Sequence, residues 1–292
     1  MQDVFYDLLE TCCHKEDTMM KKKKPRKRYS VLFLFVLTLF IAGILFFYRA
    51  YQADPLNAMD QEPFYAKKEK MEFGNIPKGV ALGSRQQKEC RKIYQRDKKL
   101  LVLVNREQEL PEGYTPTLRT ISNGRLSASG FLYDDLRKML SDAGGSGHQY
   151  WIASAWRSPM RQQELVDEDI QALLNKGMDY EEAEQEVYKE TQPAGHSEHE
   201  TGLALDILCS SNPDMTISQE QEPGNRWLRE NSWKYGFILR YPKEKEELTQ
   251  ISYEPWHFRY VGKAAAKFMY HHNLCLEEFY QIAVNRVDKA KK

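Results

Sequence analysis

Cysteine is scarce in this chain, with five in 292 residues. That is too few for a disulfide framework and excludes a small secreted scaffold held together by bridges. Net charge is also missing, because 42 basic residues balance 42 acidic ones. The balance hides an asymmetry, since residues 21–28 alone hold seven basic groups. Residues 49–292 keep 34 basic and 37 acidic residues, so the bulk of the chain is slightly acidic. A basic surface for nucleic acid is therefore not expected. There is no internal repeat, and no low-complexity tract beyond the basic block, which leaves one sizeable domain with appendages.

Only one long apolar run is present. Tyr29 to Tyr48 is twenty residues without a charge, beginning Tyr29-Ser30-Val31-Leu32-Phe33-Leu34-Phe35-Val36-Leu37. At about 1.5 Å per residue it spans a hydrocarbon core of roughly 30 Å. The basic block on its N-terminal flank places residues 1–28 in the cytoplasm and the remainder outside. A cleaved signal peptide is the competing reading. Against it stand the long N-terminal region, the length of the run and the lack of a clear small-x-small site near Ala53. Cys12 and Cys13 then lie inside and Cys90, Cys209 and Cys275 outside, where at most one bridge can form.

The predicted organisation is a cytoplasmic tail (1–28), a transmembrane helix (29–48), a stalk (49–97), a catalytic domain (98–285) and a basic tail (286–292). Within the stalk, a short helix is compatible with Gln86 to Arg96. The apolar run Leu100 to Asn105 and the segment Tyr150 to Trp156 read as strands. Helices are predicted over Phe131–Asp142, Pro159–Asn175, Asp179–Thr191, Trp227–Tyr235 and Ala264–His272. Ile251 to Val261 reads as extended. Elements mixed in this order predict an α+β fold, a small antiparallel sheet with flanking helices.

Two short stretches concentrate the chemistry. Ser197-Glu198-His199-Glu200-Thr201-Gly202-Leu203-Ala204-Leu205-Asp206 precedes Glu254-Pro255-Trp256-His257 by about fifty residues. Two histidines, an aspartate and a spare glutamate are the inventory of a catalytic zinc site, with three ligands, an open position and a carboxylate to take a proton from water. Leu203, Leu205 and Ile207 alternate with Ala204, Asp206 and Leu208, which is strand periodicity and puts Asp206 opposite Leu205. Gly202 lets the chain turn between His199 and Asp206. Pro255 pushes Glu254 out of the helical region. His199, Asp206 and His257 are thus the candidate ligands and Glu254 the candidate base, with His196 competing with His199. Singly, each has a plain reading: a packed core histidine, a capping aspartate. Arg157, just past an apolar strand, could stabilise an oxyanion or simply form a surface ion pair. Gln162 could donate to a substrate or lie exposed on its helix.

The motifs taken in order resemble the VanY-type zinc D,D-carboxypeptidases. They are Ser154-Ala155-Trp156-Arg157-Ser158 with Gln162, Pro193-Ala194-Gly195-His196-Ser197-Glu198-His199, Gly202-Leu203-Ala204-Leu205-Asp206, Tyr235-Gly236-Phe237-Ile238-Leu239-Arg240-Tyr241-Pro242, and Glu254-Pro255-Trp256-His257-Phe258-Arg259-Tyr260-Val261-Gly262. The resemblance runs from about Leu100 to Phe279, and the wider superfamily includes lysostaphin-related peptidases and the hedgehog signalling domain. It implies the zinc peptidase fold of that superfamily and one zinc ion on His199, Asp206 and His257. It also implies Glu254 as base, Arg157 as transition-state stabiliser, and substrate contacts at Gln162, Ser197 and Trp256. The implied substrate is a peptidoglycan stem peptide ending in D-Ala-D-Ala, met at the outer face of a bacterial cell membrane, with a contribution to glycopeptide (vancomycin) resistance. Gln250 stands where Gly is common in the family, and Trp156 where Tyr is common. The rivals are an L,D-carboxypeptidase or endopeptidase on the same scaffold, and a non-catalytic wall-binding module. Glu254 beside three ligands argues against the last, because a structural zinc site needs no base.

Overall fold

The computed structural model describes residues 82–284. The expected cytoplasmic tail, membrane span, most of the stalk and the basic C-terminal tail lie outside the described residues. Among the described residues no helix is long and apolar enough to cross a membrane. The architecture is α+β: a four-stranded antiparallel sheet and a two-stranded hairpin, with helices around them.

The order in the larger sheet is β3 (Tyr150–Ser154), β4 (Ala204–Cys209), β6 (His257–Tyr260), β5 (Phe237–Leu239). The hairpin joins β1 (Leu118–Ile121) to β2 (Leu126–Ser129). Strand β4 is buried along its whole length because it is central and covered on both faces. One face of β4 and β6 carries Leu205, Ile207 and Phe258, which join Leu203, Phe237 and Tyr260 in the main apolar core. Each such side chain contributes roughly 1.5–3 kcal/mol when fully buried. The opposite face carries Asp206 and His257, which are register partners on adjacent antiparallel strands. Ser154 on β3 is the partner of Asp206 on its other side. The alternation that packs the core therefore also delivers two candidate ligands side by side.

Helix α1 (Ser84–Asp97) departs from the expected stalk. Cys90 and Ile93, three apart on one helical face, are buried in a second apolar core with Leu101, Val261, Met269 and Phe279. The packed domain therefore includes α1 and does not begin at residue 98. The opposing element is α8 (Leu276–Val284), which no predicted helix covered. Between them in sequence lie α2 (Tyr133–Gly145), α3 (Pro159–Leu174), α4 (Tyr180–Val187), α5 (Pro223–Asn231), α6 (Glu246–Thr249) and α7 (Lys263–His272). The helix expected to open at Trp227 starts earlier, with Pro223 in its first turn, and its last part is a 3-10 turn, Ser232–Tyr235.

Leu100 to Asn105 is not a strand. Leu101, Leu103 and Val104 are buried as expected, but the segment joins neither sheet. The carbonyls of Leu100 and Val102 instead accept from Arg259 Nη2, at 3.1 and 2.9 Å. A side chain thus takes the place of a neighbouring strand. Within Ile251–Val261 only His257–Tyr260 pairs. Gln250 adopts a left-handed φ of +58° at the end of α6, the conformation a glycine holds without strain. Its Nε2 donates to Glu107 Oε1 at 2.6 Å. Cys90, Cys209 and Cys275 are buried free thiols, so the one bridge that the sequence permits does not form among them.

Candidate metal centre

His199 lies in a 3-10 turn, Glu198–Thr201, that ends at Gly202 with φ +70°. A side chain on Gly202 would also meet the Ser129 backbone nitrogen and Leu118, so glycine is required twice over. Leu203 to Asp206 then enters the sheet, and the turn stands at the end of β4. The His199 ring is fixed by the Ala155 carbonyl, 2.7 Å from Nδ1. A carbonyl only accepts, so Nδ1 carries the proton and Nε2 keeps its lone pair. That Nε2 lies 3.3 Å from Asp206 Oδ2. His257 Nδ1 lies 3.4 Å from Asp206 Oδ1. One ligand-type atom from each of His199, Asp206 and His257 fits within 4.8 Å of the others, and all three residues are buried.

Whether these residues fit a metal is answered by Asp206. Its Oδ1 is buried yet makes no hydrogen bond. An orphaned carboxylate oxygen beside two imidazoles costs stability unless a cation joins them. Two neutral nitrogens and one carboxylate suit zinc in particular. Burial works against the charge on Asp206, but His199, His257 and Arg157 outweigh it and hold the carboxyl down at about 2.

Glu254 completes the cluster. Its Oε2 sits 3.3 Å from His257 Nδ1. Burial raises its pKa above the ordinary carboxylate range, opposed by His257. The loop before β6 is anchored by Asn225, whose Nδ2 donates to the Pro255 carbonyl at 2.7 Å. Tyr241 covers His257, with ring centroids 4.7 Å apart.

Arg157 points into the same site from the end of β3. Its Nε donates to Ser154 Oγ at 3.0 Å and its Nη1 to Gln162 Oε1 at 2.9 Å, while Nη2 lies 3.5 Å from Asp206 Oδ2. Gln162 is buried, and its Nε2 donates to the Gln192 carbonyl at 2.6 Å. Both ends of Gln162 are therefore occupied by the protein, and it acts as a brace for Arg157. Ser197 is buried next to the 3-10 turn and Trp256 is half-buried next to His257. His196 turns its Nδ1 to the Asn105 carbonyl at 2.9 Å and stands outside the cluster.

A set of charged residues behind the site escaped the sequence reading. Glu198 accepts from Arg240 Nε and Arg259 Nη1, each at 2.7 Å. Arg240 also makes a two-pronged contact with Glu277, at 2.8 and 2.6 Å. Both arginines are fully buried. The available signal was an arginine inside each apolar strand context, Phe237-Ile238-Leu239-Arg240-Tyr241 and His257-Phe258-Arg259-Tyr260. Buried guanidinium groups require buried carboxylates.

Known proteins resemble this chain. Residues 128–263 match the family model described as VanY, D-alanyl-D-alanine carboxypeptidase. A D-alanyl-D-alanine carboxypeptidase of Enterococcus faecalis is 41% identical over 182 residues, a match covering 61% of this chain and 65% of that protein. The chain thus spans just under two thirds of that relative's length. The putative carboxypeptidase YodJ of Bacillus subtilis is 34% identical, with 64% of this chain and 69% of that protein covered. Among solved structures, a mutant of the vancomycin resistance D,D-pentapeptidase VanY, in complex with Zn(II), is 37% identical with a TM-score of 0.57, covering 62% of this chain and 99% of that one. VanYB in complex with D-alanine-D-alanine is 38% identical with a TM-score of 0.57, covering 62% and 97%. The LD-carboxypeptidase LdcB is 34% identical with a TM-score of 0.53, covering 61% and 84%. With 37–38% identity to VanY enzymes across 97–99% of their solved chains, this chain belongs to the VanY family of D-alanyl-D-alanine carboxypeptidases.

Proposed function

We propose that this protein is a zinc carboxypeptidase that removes the terminal D-Ala from peptidoglycan stem pentapeptides. The observation that carries the reading is the buried group His199, Asp206 and His257, with ligand atoms within 4.8 Å of one another and the Glu254 carboxylate against it. The Zn(II) complex of a VanY enzyme and the D-Ala-D-Ala complex of VanYB support it. Zinc held by these residues would supply a Lewis acid and lower the pKa of a water to about 7.

The chain's own residues do the rest. Glu254, with a carboxyl raised by burial, takes a proton from the attacking water and returns it to the leaving amine. Arg157, held by Ser154 and Gln162, presents fixed donors to the oxygen that becomes negative. Ser197 and Trp256 flank the ligands and are assigned to substrate contact. Gln162 serves substrate binding through Arg157.

The proposal includes a location. Seven basic residues before the uncharged segment Tyr29–Tyr48 support a single-pass anchor, with the N-terminus inside and the catalytic domain outside, where stem peptides are met. By the same reading the enzyme contributes to glycopeptide resistance, in keeping with the vancomycin resistance enzymes it resembles.

The test is product analysis on pentapeptide, tetrapeptide and free D-Ala-D-Ala. Release of D-Ala chiefly from the pentapeptide is expected, because binding energy from the stem positions the scissile amide. Preferential trimming of the tetrapeptide would transfer the protein to the L,D-carboxypeptidases, of which LdcB is a structural relative. Cleavage inside the stem would make it an endopeptidase.

A further inference from the structure

Glu198 stands inside the ligand motif, yet the reaction above gives it nothing to do. It is 2% exposed. Its Oε1 already receives both Arg240 and Arg259. Its Oε2 makes no hydrogen bond, although it is buried. That oxygen faces His257 Nε2 at 3.7 Å, and His257 Nε2 is likewise buried without a hydrogen bond. Two orphaned polar atoms aimed at each other cost stability separately and little together. Closing the gap to the roughly 2.7–2.9 Å of a charge-assisted hydrogen bond takes a shift of under about 1 Å.

The direction of that bond has a consequence for the metal. A carboxylate flanked by two guanidinium groups accepts and does not donate. The imidazole proton is then on Nε2, and Nδ1 keeps its lone pair. Nδ1 is the atom turned to Asp206 Oδ1 and Glu254 Oε2, at 3.4 and 3.3 Å. A ring turned over by half a rotation would set carbon atoms against both carboxylates. Both arginine contacts of Glu198 use Oε1 alone. The free oxygen is directed at the ring.

We propose that Glu198 is a positioning residue for the metal: its Oε2 accepts the His257 Nε2 proton, fixing the tautomer that presents Nδ1, while Arg240 and Arg259 aim the carboxylate. The arrangement is a carboxylate–histidine–metal relay, whose partners typically change metal affinity by about 10–100-fold. It rests on the zinc reading above, and the experiment separates the two.

Zinc affinity is measured by chelator competition on the full chain, for the wild type and for Glu198→Gln, Glu277→Gln and His199→Ala. In parallel, ¹⁵N-histidine NMR of the zinc-loaded wild type reports which His257 nitrogen is protonated, the signal being identified by its loss in His257→Asn. The expected results are a protonated Nε2 and a zinc affinity about 10–100-fold weaker in Glu198→Gln. Glu277→Gln leaves the Arg240 Nε and Arg259 Nη1 bonds to Glu198 in place and does not face the ring, so it should weaken folding and leave zinc affinity unchanged. If Glu198→Gln does not fold, the wild-type tautomer decides. A protonated Nδ1 on His257, or unchanged zinc affinity in Glu198→Gln, overturns the positioning role alone. Failure of the wild type to bind zinc, or full binding by His199→Ala, overturns the zinc reading and the inference with it.

Discussion

Glu277→Gln probes the buried charges behind the site without touching the ligands. Glu277 receives Arg240 Nη1 and Nη2 at 2.8 and 2.6 Å, and also Asn105 Nδ2 at 3.2 Å. Arg240 has no solvent exposure, and its other carboxylate partner, Glu198, is shared with Arg259. The four residues form a neutral set, with two guanidinium groups and two carboxylates. The substitution leaves two buried cations on one buried anion. Breaking a buried ion pair from one side costs about 3–5 kcal/mol. The glutamine oxygen can still accept from one guanidinium N–H, and a hydrogen bond to a charged group recovers about 1.5–3 kcal/mol. Taking the middle of each range, a net loss of about 2 kcal/mol follows. For a domain of this size each kcal/mol moves Tm by about 2–4 °C, so a fall of roughly 4–8 °C is expected. Circular dichroism melts, with a urea series to exclude a change in the unfolded state, make the comparison. A shift of less than about 2 °C would refute the reasoning, because it would mean that water reaches Arg240 or that the pair contributes nothing.

Other outcomes follow from the same geometry. His199→Ala should abolish stoichiometric zinc and activity, as metal analysis can show; full occupancy would mean that another group is the ligand. Arg157→Ala should lower kcat by about 10²–10³-fold, the usual effect of losing an oxyanion donor, with a smaller change in KM. A pure KM effect would reduce Arg157 to a substrate contact. In chelator-treated protein, burial pulls the His257 pKa down, but the carboxylates of Glu198, Glu254 and Asp206 raise it from 6.5 to about 9. A raised pKa contributes stability that is present below pH 6.5 and lost as pH climbs through 9, whereas Asp206, lowered from 3.8 to about 2, contributes stability lost on acidification through that interval. Urea midpoints should therefore decline on both sides of a maximum between these windows; a midpoint that holds level from pH 6.5 to 9 would contradict the His257 environment. Protease added to spheroplasts should digest the catalytic domain, and its protection would reverse the proposed orientation.

The ligands and the base were legible because their chemistry is rare in combination, and because alternation along Leu203–Leu208 fixes which way Asp206 faces. Their convergence was not. It depends on Asp206 pairing with His257 across a strand boundary, about fifty residues apart in sequence. The same non-local character misled the reading of Leu100–Asn105. An apolar run signals burial, but whether a strand or an arginine satisfies its carbonyls is decided by Arg259, far along the chain. Helix α1 was placed in a stalk because charged residues dilute its single apolar face, and that face matters only once Phe279 in α8 packs on it. Gln162 was expected to touch substrate, since a helical glutamine near Arg157 can reach a cleft. Its burial between Arg157 and Gln192 is a fact of packing that spacing does not encode. The role of Glu198 is not legible locally, because its partners Arg240 and Arg259 lie 42 and 61 residues further along the chain.

The most direct measurement follows a stem pentapeptide by mass spectrometry, with the purified full chain and with Glu254→Gln at matched zinc content. The wild type should release one terminal D-Ala and leave the tetrapeptide. Glu254→Gln, with zinc retained, should be slower by about 10²–10⁴-fold, the usual contribution of a general acid–base. Equal rates in the two proteins, or an intact pentapeptide with the zinc-loaded wild type, would contradict the proposed function.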